Sequence, residues 1–167
     1  MKAITVRAQE WDEHKRIASV ITRAFAGHPH SDGSEAAIYE RLFACLETVA
    51  SYVAVTDTGR IVGHIVFSEV RINGQPCRWC GLGPLSVLPR WQRRGVGCAL
   101  VEEGLAGLRR MNWDGCVVLG DPAFYGRFGF RHDPRLVYPG PPPEYFQRIV
   151  LNGRKPQGEV SYSRAFG

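Results

Sequence analysis

The sequence predicts a mixed α/β (α+β) domain in which helices flank one sheet. Between residues 51 and 88, apolar and polar residues alternate in runs separated by short turns, as is typical of strands. Before and after that stretch, apolar residues recur three to four positions apart, as is typical of helices packed on one face. The 167 residues correspond to one domain, 1–167, which is large enough to bury a core without metals or disulfides.

The first part of the chain predicts a strand and two helices. The strand covers residues 3–7. The first helix carries an apolar stripe of Ile17, Val20, Ile21, Ala24 and Phe25. After a break rich in Gly, His and Ser, Ser34 is a suitable N-cap for the second helix. The apolar face of that helix carries Ile38, Leu42 and Leu46.

A meander of three antiparallel strands is predicted next, over 51–57, 58–72 and 75–88. Asn73–Gly74 separates the last two strands, and this dipeptide is a strong hairpin signal. A long helix follows over 95–111. Its apolar stripe consists of Cys98, Val101, Leu105 and Leu108.

The last third predicts fewer regular elements. The short apolar run 116–120 is typical of a strand buried on both faces. Asp121 as N-cap and Pro122 at the first helical position then open a short helix. The Pro-rich remainder is predicted to be irregular until a closing strand over 158–166.

Two glycines at the start of the long helix, Gly95 and Gly97, predict a ligand. Glycine costs a helix about 1 kcal/mol relative to alanine, so stability does not explain the pair. A helix N-terminus exposes unpaired N–H groups and a partial positive charge, which phosphate groups use. Gln92, Arg93 and Arg94 add donors there. Neither a P-loop string nor a dinucleotide fingerprint fits, because residue 100 is Leu where the latter needs glycine.

The segment Gln92–Gly97 matches Q/R-x-x-G-x-G/A between a strand and a long helix. With LSVLPRWQRRGVGCALVEEGL around it and VVLGDPAFYGRFGF after it, nearly the whole chain resembles the GNAT superfamily of N-acetyltransferases, in particular a bacterial branch. The resemblance implies a GNAT-like fold: a central mixed, mostly antiparallel sheet of six or seven strands with one splayed pair, flanked by about four helices. It also implies an N-acetyltransferase that uses acetyl-CoA as co-substrate and needs no metal.

The resemblance assigns coenzyme A contacts along the motif and the strand before it. Backbone N–H groups from Arg93 through Cys98 would hold the pyrophosphate, and the strand would pair with the pantetheine arm. Pro84 and Pro89 bracket that strand segment, which agrees with a strand interrupted and splayed from its neighbour. The implied cofactor-binding residues are Leu85, Ser86, Val87, Gln92, Arg93, Arg94, Gly95, Val96, Gly97, Cys98 and Phe124.

The family chemistry is direct attack of an amine on the thioester, with a backbone N–H polarising the carbonyl oxygen. Tyr125 holds the position of a general acid for the leaving thiolate, although it could instead be a packed aromatic residue. Relatives often place a basic Glu on the strand before the motif, but no carboxylate lies between Glu69 and Glu102. Glu69 is therefore either the base or a surface charge, and His64 is predicted to lie on the opposite face. Asp121 is assigned to capping, and water or a neutral amine could replace a base.

Charge and cysteine content limit the other function classes. A net charge of +5 suits an anionic partner, but the absence of a long basic run argues against nucleic acid. Cys77 and Cys80 form a CxxC without a second pair, so neither a zinc site nor a redox centre is expected. No apolar stretch spans a membrane and the start does not resemble a signal peptide, so a cytoplasmic monomer or homodimer is expected.

Several questions stay open on the sequence alone. The chain could be a CoA-binding sensor without turnover, or a member that acetylates an aminoacyl-tRNA. The loop 26–34, with His28 and His30, is either a solvated turn or part of the acceptor site. Specificity is expected in the first two helices, in that loop and in 132–158, where spacing arguments are weakest.

Overall fold

The computed structural model describes residues 3–167, which contain eight strands and four α-helices. In chain order they are β1 (Ile4–Ala8), α1 (His14–Phe25), α2 (Glu35–Cys45), β2 (Thr48–Thr56), β3 (Ile61–Ile72), β4 (Gln75–Val87), α3 (Val96–Arg110), β5 (Gly115–Leu119), α4 (Pro122–Tyr125), β6 (Leu136–Val137), β7 (Phe146–Val150) and β8 (Gly158–Tyr162). Among these residues no helix is both long and apolar enough to cross a bilayer.

The sheet runs in the order β1-β2-β3-β4-β5-β7, with β8 paired to β3 and β6 paired to β8. All pairs are antiparallel except β4–β5 and β6–β8. The predicted mixed, mostly antiparallel sheet with helices on its faces is therefore confirmed, with eight strands where six or seven were expected.

The predicted splay lies between β4 and β5. These strands pair only from Trp79 to Leu82, although β4 continues to Val87 alongside β3. Leu82 of β4 pairs with Phe67 of β3, and Leu85 pairs with Ile65. The segment of β4 is thus one residue longer than the β3 segment opposite it, so a bulge lies at Gly83–Pro84. Proline lacks an N–H group and bulges bend a strand, which explains why β4 leaves β5 at this point.

Helices α1 and α2 cover one face of the sheet and α3 covers the other. Tyr39 of α2 contacts the His64 ring edge-on, with ring centroids 4.9 Å apart. On the other face, a Cβ built on Gly63 would lie 3.0 Å from Leu100 of α3. Because successive strand residues point to opposite faces, β3 presents its side chains alternately to the two helical layers.

Most predicted elements are found where expected, and the helical stripes need small corrections. Ile17, Val20 and Ile21 of α1 are buried, as are Val101, Leu105 and Leu108 of α3. Val96 and Leu100 join the α3 stripe, whereas Cys98 is only half-buried.

Two predictions around α2 are wrong in detail. Leu46 does not lie on its apolar face: the helix ends at Cys45, and Leu46 is in the left-handed region and 80% exposed. Tyr39 is buried beside Leu42 instead. Ser34 occupies the N-cap position, but its hydroxyl donates to Asp32 and caps no helical N–H.

The segment predicted to be irregular contains two strands, β6 and β7. Strand β7 pairs along all five residues of β5, from Gly115↔Val150 to Leu119↔Phe146. The prolines around residue 142 lie before β7, in the turn that leads into it. They therefore do not interrupt the hydrogen bonds of β7.

Candidate functional site

The N-terminus of α3 is built to leave its backbone N–H groups free. Gly95 is the N-cap residue, in the left-handed region at φ +83°, and Arg93 just before it has φ +60°. A glycine N-cap has no side chain that could accept a bond from the first turn, so those N–H groups point away from the helix without helical partners. A Cβ on Gly95 would meet no atom within 4 Å, so the space in front of it is open.

Two arginine side chains and one hydrogen bond to β4 lie around the start of this helix. Gln92 donates from Nε2 to the Val87 carbonyl at 3.0 Å, which ties the turn to the end of β4. The Arg94 guanidinium lies 5.7 Å from the Trp91 ring centroid, and Arg127 Nη1 lies 3.6 Å from Cys98 Sγ. The helix N-terminus and these cations together favour an anion.

Gly97 connects the helix start to the gap between β4 and β5. A Cβ at this position would lie 3.6 Å from Phe124, 3.8 Å from Val87 and 4.0 Å from Leu85. Strand β4, which borders the gap and which we call the gap strand, therefore meets α3 and α4 at one glycine. The structure thus brings together most of the predicted cofactor-binding residues.

Strand β4 turns an unpaired edge towards the gap. The Leu88 N–H donates to the Val62 carbonyl at 2.9 Å, so by ladder alternation Ser86 also pairs with β3. The main-chain groups of Leu85 and Val87 consequently face the gap. The Ser86 side chain points to the face of the sheet opposite the Leu85 and Val87 side chains. There it is 1% exposed, and its hydroxyl has no hydrogen-bond partner within residues 3–167.

Tyr125 lies beside the gap at the end of α4. Asp121 caps this helix by accepting from the Ala123 N–H at 2.9 Å, and Pro122 occupies its first turn, as the sequence predicts. The Tyr125 ring covers Gly120, where a Cβ would come within 2.5 Å of a ring carbon. Burial, reinforced by nearby Cys116, raises the pKa of Tyr125 above its usual value, so the hydroxyl is protonated at neutral pH.

Glu69 and His64, the two candidate bases, lie in different surroundings. Glu69 is exposed on β3 and lines an open cleft of about 890 Å³ beside β8. His64 is fully buried, with Nε2 2.7 Å from Ser51 Oγ, and burial lowers the pKa of His64 to about 3. His64 is therefore a neutral core residue.

The loop before α2 forms an exposed turn. His28 Nδ1 accepts from the His30 N–H at 3.2 Å, and Asp32 accepts from the Ser34 N–H at 3.0 Å. Elsewhere, Cys80 is buried and Cys77 half-buried on β4. Within residues 3–167 no group of three or more His, Cys, Asp or Glu side chains is placed to hold a metal ion.

Sequence reasoning missed Tyr162 of β8. Its ring packs on Gly81 of β4, where a Cβ would come within 2.5 Å of a ring carbon, and its hydroxyl is buried without a hydrogen-bond partner. Gly81 lies two residues before the bulge at Gly83–Pro84, so this ring adjoins the splay. No local pattern indicates a contact between positions so far apart in sequence.

A sequence profile described as an acetyltransferase (GNAT) domain matches residues 47–132. Among curated proteins, the uncharacterized N-acetyltransferase YhbS of Escherichia coli K12 is 40% identical over 92 residues, which cover 53% of this chain and 55% of YhbS. The alignment thus spans about half the length of that relative. The uncharacterized N-acetyltransferase YjhQ of the same strain is 34% identical over 118 residues, covering 68% of this chain and 62% of YjhQ.

Two solved structures match almost the whole chain. A GNAT family acetyltransferase from Brucella melitensis, in complex with acetyl-CoA, is 38% identical with a TM-score of 0.88, covering 99% of each chain. Escherichia coli YhbS in complex with CoA is 29% identical with a TM-score of 0.89, covering 99% of this chain and 93% of the other.

Proposed function

The chain belongs to the GNAT acetyltransferase family, and from this premise we propose that it transfers the acetyl group of acetyl-CoA to an amine in a ternary complex. The observation that carries the proposal is the junction at Gly97. There the uncapped N-terminus of α3, the unpaired edge of β4 and the short helix of Tyr125 border one gap. The relatives crystallised with acetyl-CoA and with CoA support the choice of donor.

In this proposal a long thioester with a diphosphate at one end lies along the gap. The N–H groups from Arg93 to Cys98 would bind the diphosphate, helped by Arg94 and Arg127. The main-chain groups of Leu85 and the N–H of Val87 would pair with the amides of the pantetheine arm, as an added strand does, while the Val87 carbonyl accepts from Gln92. Gly97 has no side chain, which leaves the gap open beside Phe124. In this proposal Ser86 contributes its backbone alone.

Acetyl-CoA supplies an activated acyl group, so the amine nitrogen forms the new C–N bond as the C–S bond breaks. The leaving thiolate, with a pKa of roughly 8.5 by analogy with cysteine, must gain a proton. Tyr125 would donate it, because its phenol is held protonated beside the gap. Glu69 would take the proton that the amine loses, either directly or through water in the cleft that it lines.

The proposal is tested by calorimetric titration with acetyl-CoA and by amine-dependent release of the CoA thiol. We expect micromolar binding by the native protein. Tyr125→Phe should reduce kcat by about 100-fold, the usual effect of losing a general acid, with acetyl-CoA affinity unchanged within twofold. Tyr145→Phe is the matched control, because Tyr145 is an exposed tyrosine and should keep full activity.

The competing functions predict other outcomes. A CoA-binding sensor would bind acetyl-CoA but release no thiol with any amine, and Tyr125→Phe would then change nothing measurable. An enzyme that acetylates aminoacyl-tRNA would bind RNA with an affinity that falls steeply as salt is added. Failure of the native protein to bind acetyl-CoA would refute the acetyltransferase proposal.

A further inference from the structure

A cleft of about 890 Å³ lies between the end of α2, the β3–β4 hairpin and β8. We call it the β3–β8 cleft. Its charged and phenolic lining residues are Arg41, Glu47, Glu69, Arg71, Tyr162 and Arg164. None of these residues belongs to the gap or to the turn and first helical residues at the N-terminus of α3 (92–98), which we call the α3 cradle, so the cleft is a second cavity with its own chemistry.

Tyr162 lies between this cleft and the start of the β4–β5 splay. Its ring covers Gly81, just before β4 leaves β5, and its hydroxyl is buried with no partner in residues 3–167. Burial raises the pKa of Tyr162 well above its usual value, and nearby Cys116, Tyr138, Cys80 and Tyr125 raise it further. The Tyr162 ring packs on Gly81 just before the splay, whereas the Tyr125 ring packs on Gly120 just after β5, so the first adjoins the cleft and the second adjoins the gap.

The charges of the cleft are of both signs and remain available. No ion pair within the described chain involves its two glutamates or its three arginines. Arg41 is held in place because its Nε donates to the Ala165 carbonyl at 2.9 Å, which leaves its two terminal nitrogens free. An open cleft with unpaired carboxylates and guanidinium groups attracts a ligand that carries both charges itself.

We propose that the β3–β8 cleft binds the acceptor, and that this acceptor is a small zwitterion with a primary amine and a carboxylate, an amino acid in the simplest case. The inference rests on the proposed function. The carboxylates of Glu69 and Glu47 attract the ammonium group, and Arg41 and Arg164 bind the carboxylate. The Tyr162 ring forms the floor of the cleft beside Gly81, and its buried hydroxyl does not face the acceptor.

The proton balance is complete without any further reactant. The ammonium group loses one proton to Glu69 or water before it attacks, and the nitrogen loses a second as the amide forms. The thiolate gains one proton from Tyr125, which regains it from solvent. The net products are the N-acetylated acid, CoA and one proton, which the buffer takes up.

The test compares amino acids with the amines that they yield on decarboxylation, such as histidine with histamine, leucine with isoamylamine and lysine with cadaverine. Binding to the CoA-saturated protein is measured by calorimetry, and turnover by thiol release. We expect the best amino acid to bind at least tenfold more tightly than its decarboxylated partner. Arg164→Gln should remove that preference and leave the affinity for acetyl-CoA unchanged.

Arg41→Gln removes the other guanidinium that binds the carboxylate. We expect the KM for the acceptor to rise about tenfold, as for the loss of one hydrogen bond to a charged group, with unchanged affinity for acetyl-CoA. Tyr162→Phe is the control, because it keeps the ring on Gly81 and removes only a hydroxyl that is buried away from the cleft, so the KM should not change. Thermal unfolding of all variants verifies the fold.

Equal binding of amino acids and their decarboxylated partners would overturn the inference. So would a protein that binds acetyl-CoA but neither binds nor acetylates any amino acid, an outcome that leaves the proposed function intact. A protein that fails to bind acetyl-CoA would refute the proposed function and this inference together.

Discussion

Replacing Gly97 by Asp or by Asn separates the stability of α3 from its role in binding. Gly97 is the second residue of the helix, and a Cβ there would make ordinary contacts of 3.6 to 4.0 Å with its neighbours. The Cβ atoms of both side chains are therefore accommodated without a clash. They are nearly identical in shape and differ in charge, so their comparison isolates the electrostatic effect at the helix start.

The two variants should rank in opposite orders for folding and for binding. A carboxylate in the first helical turn interacts favourably with the helix dipole, so the Asp variant should unfold with a free energy about 0.3–1 kcal/mol higher than the Asn variant. A diphosphate charge about 6 Å from that carboxylate would be repelled by about 2.8 kcal/mol at an effective dielectric constant of about 20. The dissociation constant for acetyl-CoA should therefore be about 100-fold higher for Asp than for Asn.

Urea titration measures the first quantity and calorimetry the second. Calorimetry at about 50 and about 300 mM salt adds a further check, because added ions screen the repulsion and should narrow the difference between the variants. Equal affinities for acetyl-CoA in the two variants would refute the placement of the diphosphate at α3. A less stable Asp variant would refute the account of the helix terminus itself.

Three further predictions concern the core and the cradle. Burial lowers the pKa of His64 from 6.5 to about 3. Between pH 6.5 and pH 3 His64 therefore binds a proton in the unfolded state but not in the folded state. The free energy of unfolding is consequently highest above pH 6.5 and falls as the pH is lowered towards 3. Urea titrations at about pH 7.5 and about pH 5 should show a loss of about 2 kcal/mol that His64→Leu abolishes. Acetyl-CoA should protect half-buried Cys98 from alkylation but not exposed Cys45, as mass spectrometry would show. Gly104→Ala should lower the free energy of unfolding by about 1–3 kcal/mol, because its Cβ would overlap the Phe67 ring.

Features set by neighbouring residues could be predicted from the sequence. Asn73 and Gly74 both have positive φ in the hairpin between β3 and β4, the conformation for which this dipeptide is selected. Asp121 and Pro122 start α4 because capping depends on atoms two residues apart. The uncapped start of α3 at Gly95 follows from the same local logic.

Features set by distant residues could not be predicted. Strand β7 is specified by the edge of β5 that it covers, and its sequence lacks a clear period-2 pattern. Tyr162 acquires its importance from Gly81, a contact that no window of the sequence contains. The placement of Glu69 in a cleft, and not in the gap, likewise depends on how β8 packs beside β3.

The pairing of β8 with β3 has a consequence for the order in which the two cavities form during folding. The α3 cradle and the gap strand lie within one short segment, so few loops need to close before they are in place. The β3–β8 cleft requires Val70 to meet Tyr162, which closes a loop of about 90 residues. Non-local contacts of this kind form slowly. Competence to bind acetyl-CoA should therefore precede completion of the cleft when the protein refolds.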